Sequence, residues 1–277
     1  MKIYFLKKRE KTNENNENNT FEQEIINWIK YLDIDKIKLY KSLLNIKILN
    51  KAKINTIEKT IIKFNNSYED ISNIYEKTII LYFQYKINNY NLTDFINYYN
   101  SIIKKNYRHK SIPYLKQKNE LNIYQNIAYV SNIINCINSG YYHLLKQIDS
   151  YNWLDEKIIE KEYSELILLI EKDFFKKNYS IDKIIFNSNI IKSDIYIEDS
   201  IIWEIKLISK IETKDFLSIA LNIALYFFNN KKLISGRFLN LKTQELYSID
   251  ITETTCTYLI NDLDKYINNK YPNNKNI

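Results

Sequence analysis

The sequence predicts a mixed α/β protein, in which an all-helical N-terminal region precedes a mixed sheet with helices on both sides. Three observations predict it. From Thr20 to Lys104 apolar residues recur at three- and four-residue spacing, with no strand alternation. From Lys183 onward, β-rich runs alternate with helical segments in the order β-β-β-α-β-β-α, behind one more helix. Between the two, Lys104 to Pro113 is a basic, polar connection that marks a boundary. The organisation read from this is a disordered tail over 1–19, a helical region over 20–110 and an α/β core over 111–277.

Taken in order, Lys11 to Asn19 is an asparagine-rich polar tract with the composition of a disordered segment. Thr20 and Gln23 have capping-box spacing, and Ile25, Trp28 and Ile29 mark the first helical face. Helices are expected over Asp35–Leu49, Thr56–Phe64, Ser67–Ile87 and Thr93–Lys104, then over Leu121–Ile137 with a break near Ser139-Gly140. The next, from Leu154 to Phe175, carries a helical stripe of Ile159, Tyr163, Leu166, Ile167, Ile170 and Phe174. Strands follow at Lys183–Phe186, Ile190–Ile197 and Ile201–Ile208, separated by Asn187-Ser188-Asn189 and Glu198-Asp199-Ser200. A helix over Lys214–Phe228 turns Phe216, Ala220, Ile223, Ala224 and Phe227 toward the sheet. Strands Leu233–Leu239 and Glu245–Ile251 flank a turn at Lys242-Thr243, and a helix from Glu253 to Asn268 closes the pattern.

Composition excludes several chemistries. Gly140 and Gly236 are the only glycines among 277 residues, so neither a Walker A loop nor a GxGxxG turn exists. Cys136 and Cys256 cannot build a four-cysteine zinc site or iron–sulfur cluster, and two cysteines fit a reducing compartment. No GxSxG elbow is present. The apolar run Ile3–Leu6 is too short for a signal-peptide core, and nothing approaches the roughly 18 apolar residues of a membrane span. A soluble, intracellular protein of cytoplasm or nucleus is expected. The net charge of +7 suits a nucleic-acid partner. It equally follows from A/T-rich codons, which favour the Ile, Asn, Lys and Tyr that dominate here.

One constellation carries chemistry. If the turn between the second and third strands centres on Asp199, paired positions sum to 398 and Asp194 lies opposite Glu204. Directly opposed residues have Cβ atoms about 4.5–5.5 Å apart. Two such carboxylates suit a hard divalent cation, Mg²⁺ or Mn²⁺, which takes one or two carboxylates plus waters and phosphate oxygens. Lys206, two residues after Glu204, projects from the same face, where an ammonium can orient water or offset charge on a phosphate. Trp203, Ile205 and Leu207 then face the core.

Four stretches extend the pattern. They are Tyr68-Glu69-Asp70-Ile71-Ser72-Asn73-Ile74 with Tyr82-Phe83-Gln84-Tyr85; Ser139-Gly140-Tyr141-Tyr142 with Gln147-Ile148 and Tyr151-Asn152-Trp153-Leu154; Trp203-Glu204-Ile205-Lys206; and Leu239-Asn240-Leu241-Lys242-Thr243-Gln244-Glu245. Over Tyr68 to Ile251 the chain resembles the PD-(D/E)xK nuclease-like C-terminal region of UvrD-type superfamily 1 helicases of large DNA viruses and protists, and their stand-alone relatives. The resemblance implies a restriction-endonuclease-like fold and metal-dependent hydrolysis of DNA phosphodiesters in replication, repair or recombination. It implies Asp194 and Glu204 as metal ligands and Lys206 as the catalytic lysine. A partner helicase would come from another polypeptide, since no motor is present. One position departs: Ser218 stands where the family usually has glutamine, and Asn222 where a tyrosine follows. That departure keeps an alternative open, a catalytically weakened nuclease-fold protein that binds DNA or acts as a scaffold beside a helicase.

Accessory candidates remain. His143 is either a metal ligand on a helix before the core or a surface or core histidine. Glu162 and Glu165 are either extra site acids or polar-face residues of their helix. Lys104, Lys105, Arg108 and Lys110, with Tyr107 among them, are either a track for a phosphate backbone or a solvated linker.

Overall fold

A computed structural model of the chain describes residues 21–51, 68–106, 115–139, 151, 154–175, 184–185, 193–197, 200–208 and 210–270. Two short helices come first, α1 (Phe21–Tyr31) and α2 (Ile34–Leu43). Asp33 caps α2, its side chain accepting from the Lys36 N–H at 2.8 Å. The chain then becomes a strand, β1 (Asn45–Lys51). Longer helices follow: α3 (Tyr68–Ile87), α4 (Leu92–Asn106), α5 (Ile123–Ser139) and α6 (Glu156–Phe175). Next come β2 (Ile184–Ile185), β3 (Ile195–Ile197), β4 (Ile201–Lys206), α7 (Thr213–Asn230), β5 (Ser235–Asn240), β6 (Glu245–Asp250) and α8 (Glu253–Lys270).

Among the described residues the N-terminal part is helical except at β1, which corrects the expectation of a helix over Asp35–Leu49. The helix ends at Leu43 because Asn45 to Ile48 pair antiparallel with Asp250 to Tyr247. Ile46 and Ile48 fit a period of two as well as a helical one, and the open edge of β6 decides between them. The expected helix over Thr56–Phe64 and the cap at Thr20 lie outside the described residues, as does the 1–19 tail.

Among the described residues the sheet has six strands in the order β1-β6-β5-β4-β3-β2. Every neighbouring pair is antiparallel except β4 and β5, which run parallel through the crossover helix α7. Both faces are covered, which is why β4 reads as a nearly continuous apolar run. On one face Ile195, Ile197, Ile201, Trp203 and Ile205 pack with α3, α4, α5 and α6. On the other, Tyr196, Ile202, Phe238 and Ile249 pack with α1, α2, α7 and α8. The expected α7 face is buried at Phe216, Ala220, Ile223 and Ala224, and Gly236 on β5 lets that helix approach the strand closely.

Elements from both sides of position 110 share each core. Trp28 of α1 and Tyr40 of α2 are buried with α7 and α8. Polar contacts fix the same arrangement: Lys36 meets Asp262 at 2.9 Å, Tyr40 donates to Asp262 at 2.6 Å, and Lys270 meets Glu24 at 2.9 Å. Cys136 and Cys256 are both buried. Among the described residues, no helix is long and apolar enough to cross a membrane.

Candidate active site

The β3–β4 hairpin has the register that its sequence predicts. Ile195 pairs with Trp203 and Ile197 with Ile201, as a turn centred on Asp199 requires, and the ladder stops there, with Asp194 one residue before β3. The Asp194 N–H donates to the Trp203 carbonyl at 3.0 Å. Its side chain returns to the same strand, Oδ2 accepting from the Ile205 N–H at 2.8 Å. Trp203, Ile205 and Leu207 are buried on the opposite face, as expected.

Glu204 and Lys206 are two residues apart on β4 and meet directly, Lys206 Nζ lying 3.0 Å from Glu204 Oε1. The Glu204 side chain is only 13% exposed. Burial pushes its carboxyl up, Lys206 opposes that push and Asp194 adds to it. The Glu204 charge holds the Lys206 ammonium well above the ordinary lysine value, outweighing the effect of burial, and Glu76 and Asp194 hold it further up.

Glu76, on α3, is the site residue that sequence reasoning missed. Its side chain is 15% exposed, with Oε1 3.6 Å from Lys206 Nζ. Its Oε2 accepts from the Leu207 N–H at 2.8 Å, across 131 positions of sequence. Burial pushes its carboxyl up to about 7; Lys206 pulls it down, while Asp194 and Glu204 push the same way as burial. A signal for it does exist. Ile74, Tyr75, Thr78, Ile79, Ile80, Leu81, Tyr82 and Phe83 make α3 buried nearly all round, and a carboxylate in such a helix needs a partner or a task.

The end of β4 is fixed by side chains. Leu241 N–H donates to the Lys206 carbonyl at 2.7 Å, which carries the parallel ladder one step past both strands. Asn240, fully buried, accepts from Ile208 N–H at 3.3 Å and Lys242 N–H at 3.0 Å, and donates to the Ile208 carbonyl at 2.9 Å. Asp215, in the first turn of α7, accepts from the Glu212 N–H at 2.7 Å and feels the Lys206 charge.

The donor set is all oxygen. Asp194, Glu204 and Glu76 act on the Lys206 ammonium, and Lys77 adds a second positive charge that Glu204 feels. Among the described residues no three His, Cys, Asp or Glu side chains form a ready cage for a metal. The fit is therefore to a cation bound by one or two carboxylates with other positions left to water or phosphate, as Mg²⁺ binds.

Glu162 is buried at 3% exposure, which corrects the polar-face reading of it. Glu165 is half-exposed, 3.8 Å from Lys161, and accepts from Gln244 Nε2 at 3.1 Å. Ser218 is half-buried in α7. Lys104 and Lys105 lie in the last turns of α4, with the Lys104 side chain exposed, while His143, Arg108 and Lys110 lie outside the described residues. Of the quoted pre-core motif, Tyr151 and Leu154 are described and buried.

No family model, curated protein or solved structure matches the chain.

Proposed function

We propose that this chain is a metal-dependent nuclease of the restriction-endonuclease-like class that hydrolyses DNA phosphodiesters. The observation that carries the reading is the convergence of Asp194, Glu204 and Lys206 at the end of β4, with the ammonium 3.0 Å from the carboxylate. In this reading Asp194 and Glu204 hold Mg²⁺ or Mn²⁺. The bound ion supplies Lewis-acid polarisation of a phosphate oxygen and a more acidic water. Lys206 positions the attacking water and offsets charge on the phosphate, and its held protonation suits the second task. The buried face of β4 keeps the constellation rigid, because Trp203 and Ile205 anchor alternate residues of the same strand. DNA is the substrate, and any helicase working with the protein is a separate chain.

A second reading draws on the same contact. Lys206 already neutralises Glu204 and Glu76 in part, so the cluster also works as a structural ion group in a DNA-binding or scaffold protein. Incubation with single- and double-stranded DNA and Mg²⁺ or Mn²⁺ separates the two. Wild-type protein is expected to cut, and Glu204→Ala and Lys206→Ala to lose about 100-fold or more of that rate. Cutting at equal rates by all three proteins excludes this site. Salt-sensitive DNA binding without cleavage selects the second reading.

A further inference from the structure

The Lys206 ammonium lies between two carboxylates, one from the sheet and one from the helical layer that packs on it. Glu204 is on its own strand, 3.0 Å away; Glu76 comes from α3, 3.6 Å away. The two acids are held differently. Glu76 uses its other oxygen on the Leu207 N–H at 2.8 Å, a backbone donor one residue past the end of β4. Glu76 therefore cannot swing away without orphaning that donor. Lys206, on a four-carbon stem with freely rotating donors, is the mobile partner. A cation arriving on Glu204 repels the ammonium sitting there, and Glu76 is the seat within reach.

We propose that Glu76 is the positioning residue for Lys206, holding its ammonium beside the site when the Glu204 carboxylate turns to a divalent cation. The inference rests on the nuclease reading, since it takes Glu204 as a metal ligand. It assigns Glu76 no contact with substrate. Without Glu76, Lys206 is left with Glu204 and the charge of Asp194, the two groups assigned to the metal, so it competes with the metal and is badly placed for phosphate chemistry.

The test is a double-mutant cycle read by Mn²⁺ affinity, measured by calorimetry and by loss of the free-ion paramagnetic resonance signal. The full chain is used as wild type, Glu76→Gln, Lys206→Met and the double variant. Glutamine keeps a carbonyl oxygen for the Leu207 N–H, so the fold is expected to survive, as circular dichroism melts will show. Glu76→Gln is expected to weaken Mn²⁺ binding about 10-fold when Lys206 is present and about 2-fold or less when it is Met. Equal weakening in both backgrounds overturns the proposal, because Glu76 would then act as a ligand or a simple through-space charge. No change in either background overturns it too. Should Glu76→Gln not fold, Glu76→Asp replaces it: weakening only with Lys206 present supports the role, and the same effect in both backgrounds overturns it. A wild type that binds no Mn²⁺ is a separate result, which removes the metal reading and this proposal together. Binding with no coupling removes only the role of Glu76.

Discussion

Replacing Glu162 with glutamine should make the protein more tolerant of alkaline pH. Glu162, on α6, is 3% exposed and sits under the β5–β6 turn, where Gln244 Nε2 lies 3.4 Å from its Oε1. Burial pushes its carboxyl up to about 7 and the Glu165 charge adds to this; Gln244 and Lys161 pull the other way. In the unfolded chain the group returns to its ordinary value of 4.5. Between those two values the folded protein holds a proton that the unfolded chain has released. Stability therefore falls as pH rises through that window. The gap corresponds to about 3 kcal/mol, at roughly 1.4 kcal/mol per tenfold change in proton affinity. Glu162→Gln cannot ionise, so relative to wild type it should gain up to about 3 kcal/mol between pH 4.5 and pH 8. At roughly 2 °C per kcal/mol that is about 6 °C in melting temperature. Urea titrations of both proteins at the two pH values measure it. A difference between variant and wild type that is the same at both values refutes the reasoning, because Glu162 would then ionise as freely folded as unfolded.

Two other substitutions test how the site is held. A Cβ on Gly236 would stand 2.3 Å from Ile219 Cγ2 and 3.2 Å from Ile223 Cδ1. The first is a branched methyl on a helix, with little rotamer freedom. Gly236→Ala should cost about 2–3 kcal/mol in denaturant unfolding, and adding Ile219→Ala should return part of that loss rather than sum with it. Asn240→Ala removes the partner of the Ile208 N–H and C=O and of the Lys242 N–H. It should cost about 2–4 kcal/mol, read in the same titrations.

What the sequence makes legible is mostly local. The β3–β4 register from Ile195 to Trp203 follows from alternation in Ile-Ile-Trp-Glu-Ile-Lys and a tight turn, but the ladder ends there and the Asp194 N–H bonds to the Trp203 carbonyl, which the alternation does not foretell. The period of 3.6 in α7 marks Phe216, Ala220, Ile223 and Ala224, which are buried, but Leu217, Ile219, Leu221, Asn222, Leu225 and Tyr226 are buried too, because α1, α2 and α8 pack with the same helix. The misses are non-local. β1 is a strand because β6, two hundred positions later, offers it an edge; nothing within residues 35–49 distinguishes that from a helix. Glu162 sits at helix spacing suited to a polar face, and only the β5–β6 turn folding over α6 buries it. Glu76 belongs to the site because α3 docks across the end of β4, a contact that no spacing rule encodes.

The way β4 leaves the sheet explains why the site is where it is. Among the described residues the antiparallel ladder with β3 ends at Trp203 and the parallel one with β5 at Lys206, yet Leu207 is buried and Ile208 half-buried, with backbone groups that must be paired. Side chains from two directions pair them: Glu76 takes the Leu207 N–H, and Asn240 takes both polar groups of Ile208. The first of these bonds draws a carboxylate to within 3.6 Å of Lys206. Closing the strand and assembling the charged cluster are thus the same structural event. It follows that the cluster cannot form on the sheet and α7 alone. The helical layer carrying α3 must dock first, so a variant that loosens α3 should disturb the Lys206 environment before it unfolds β4.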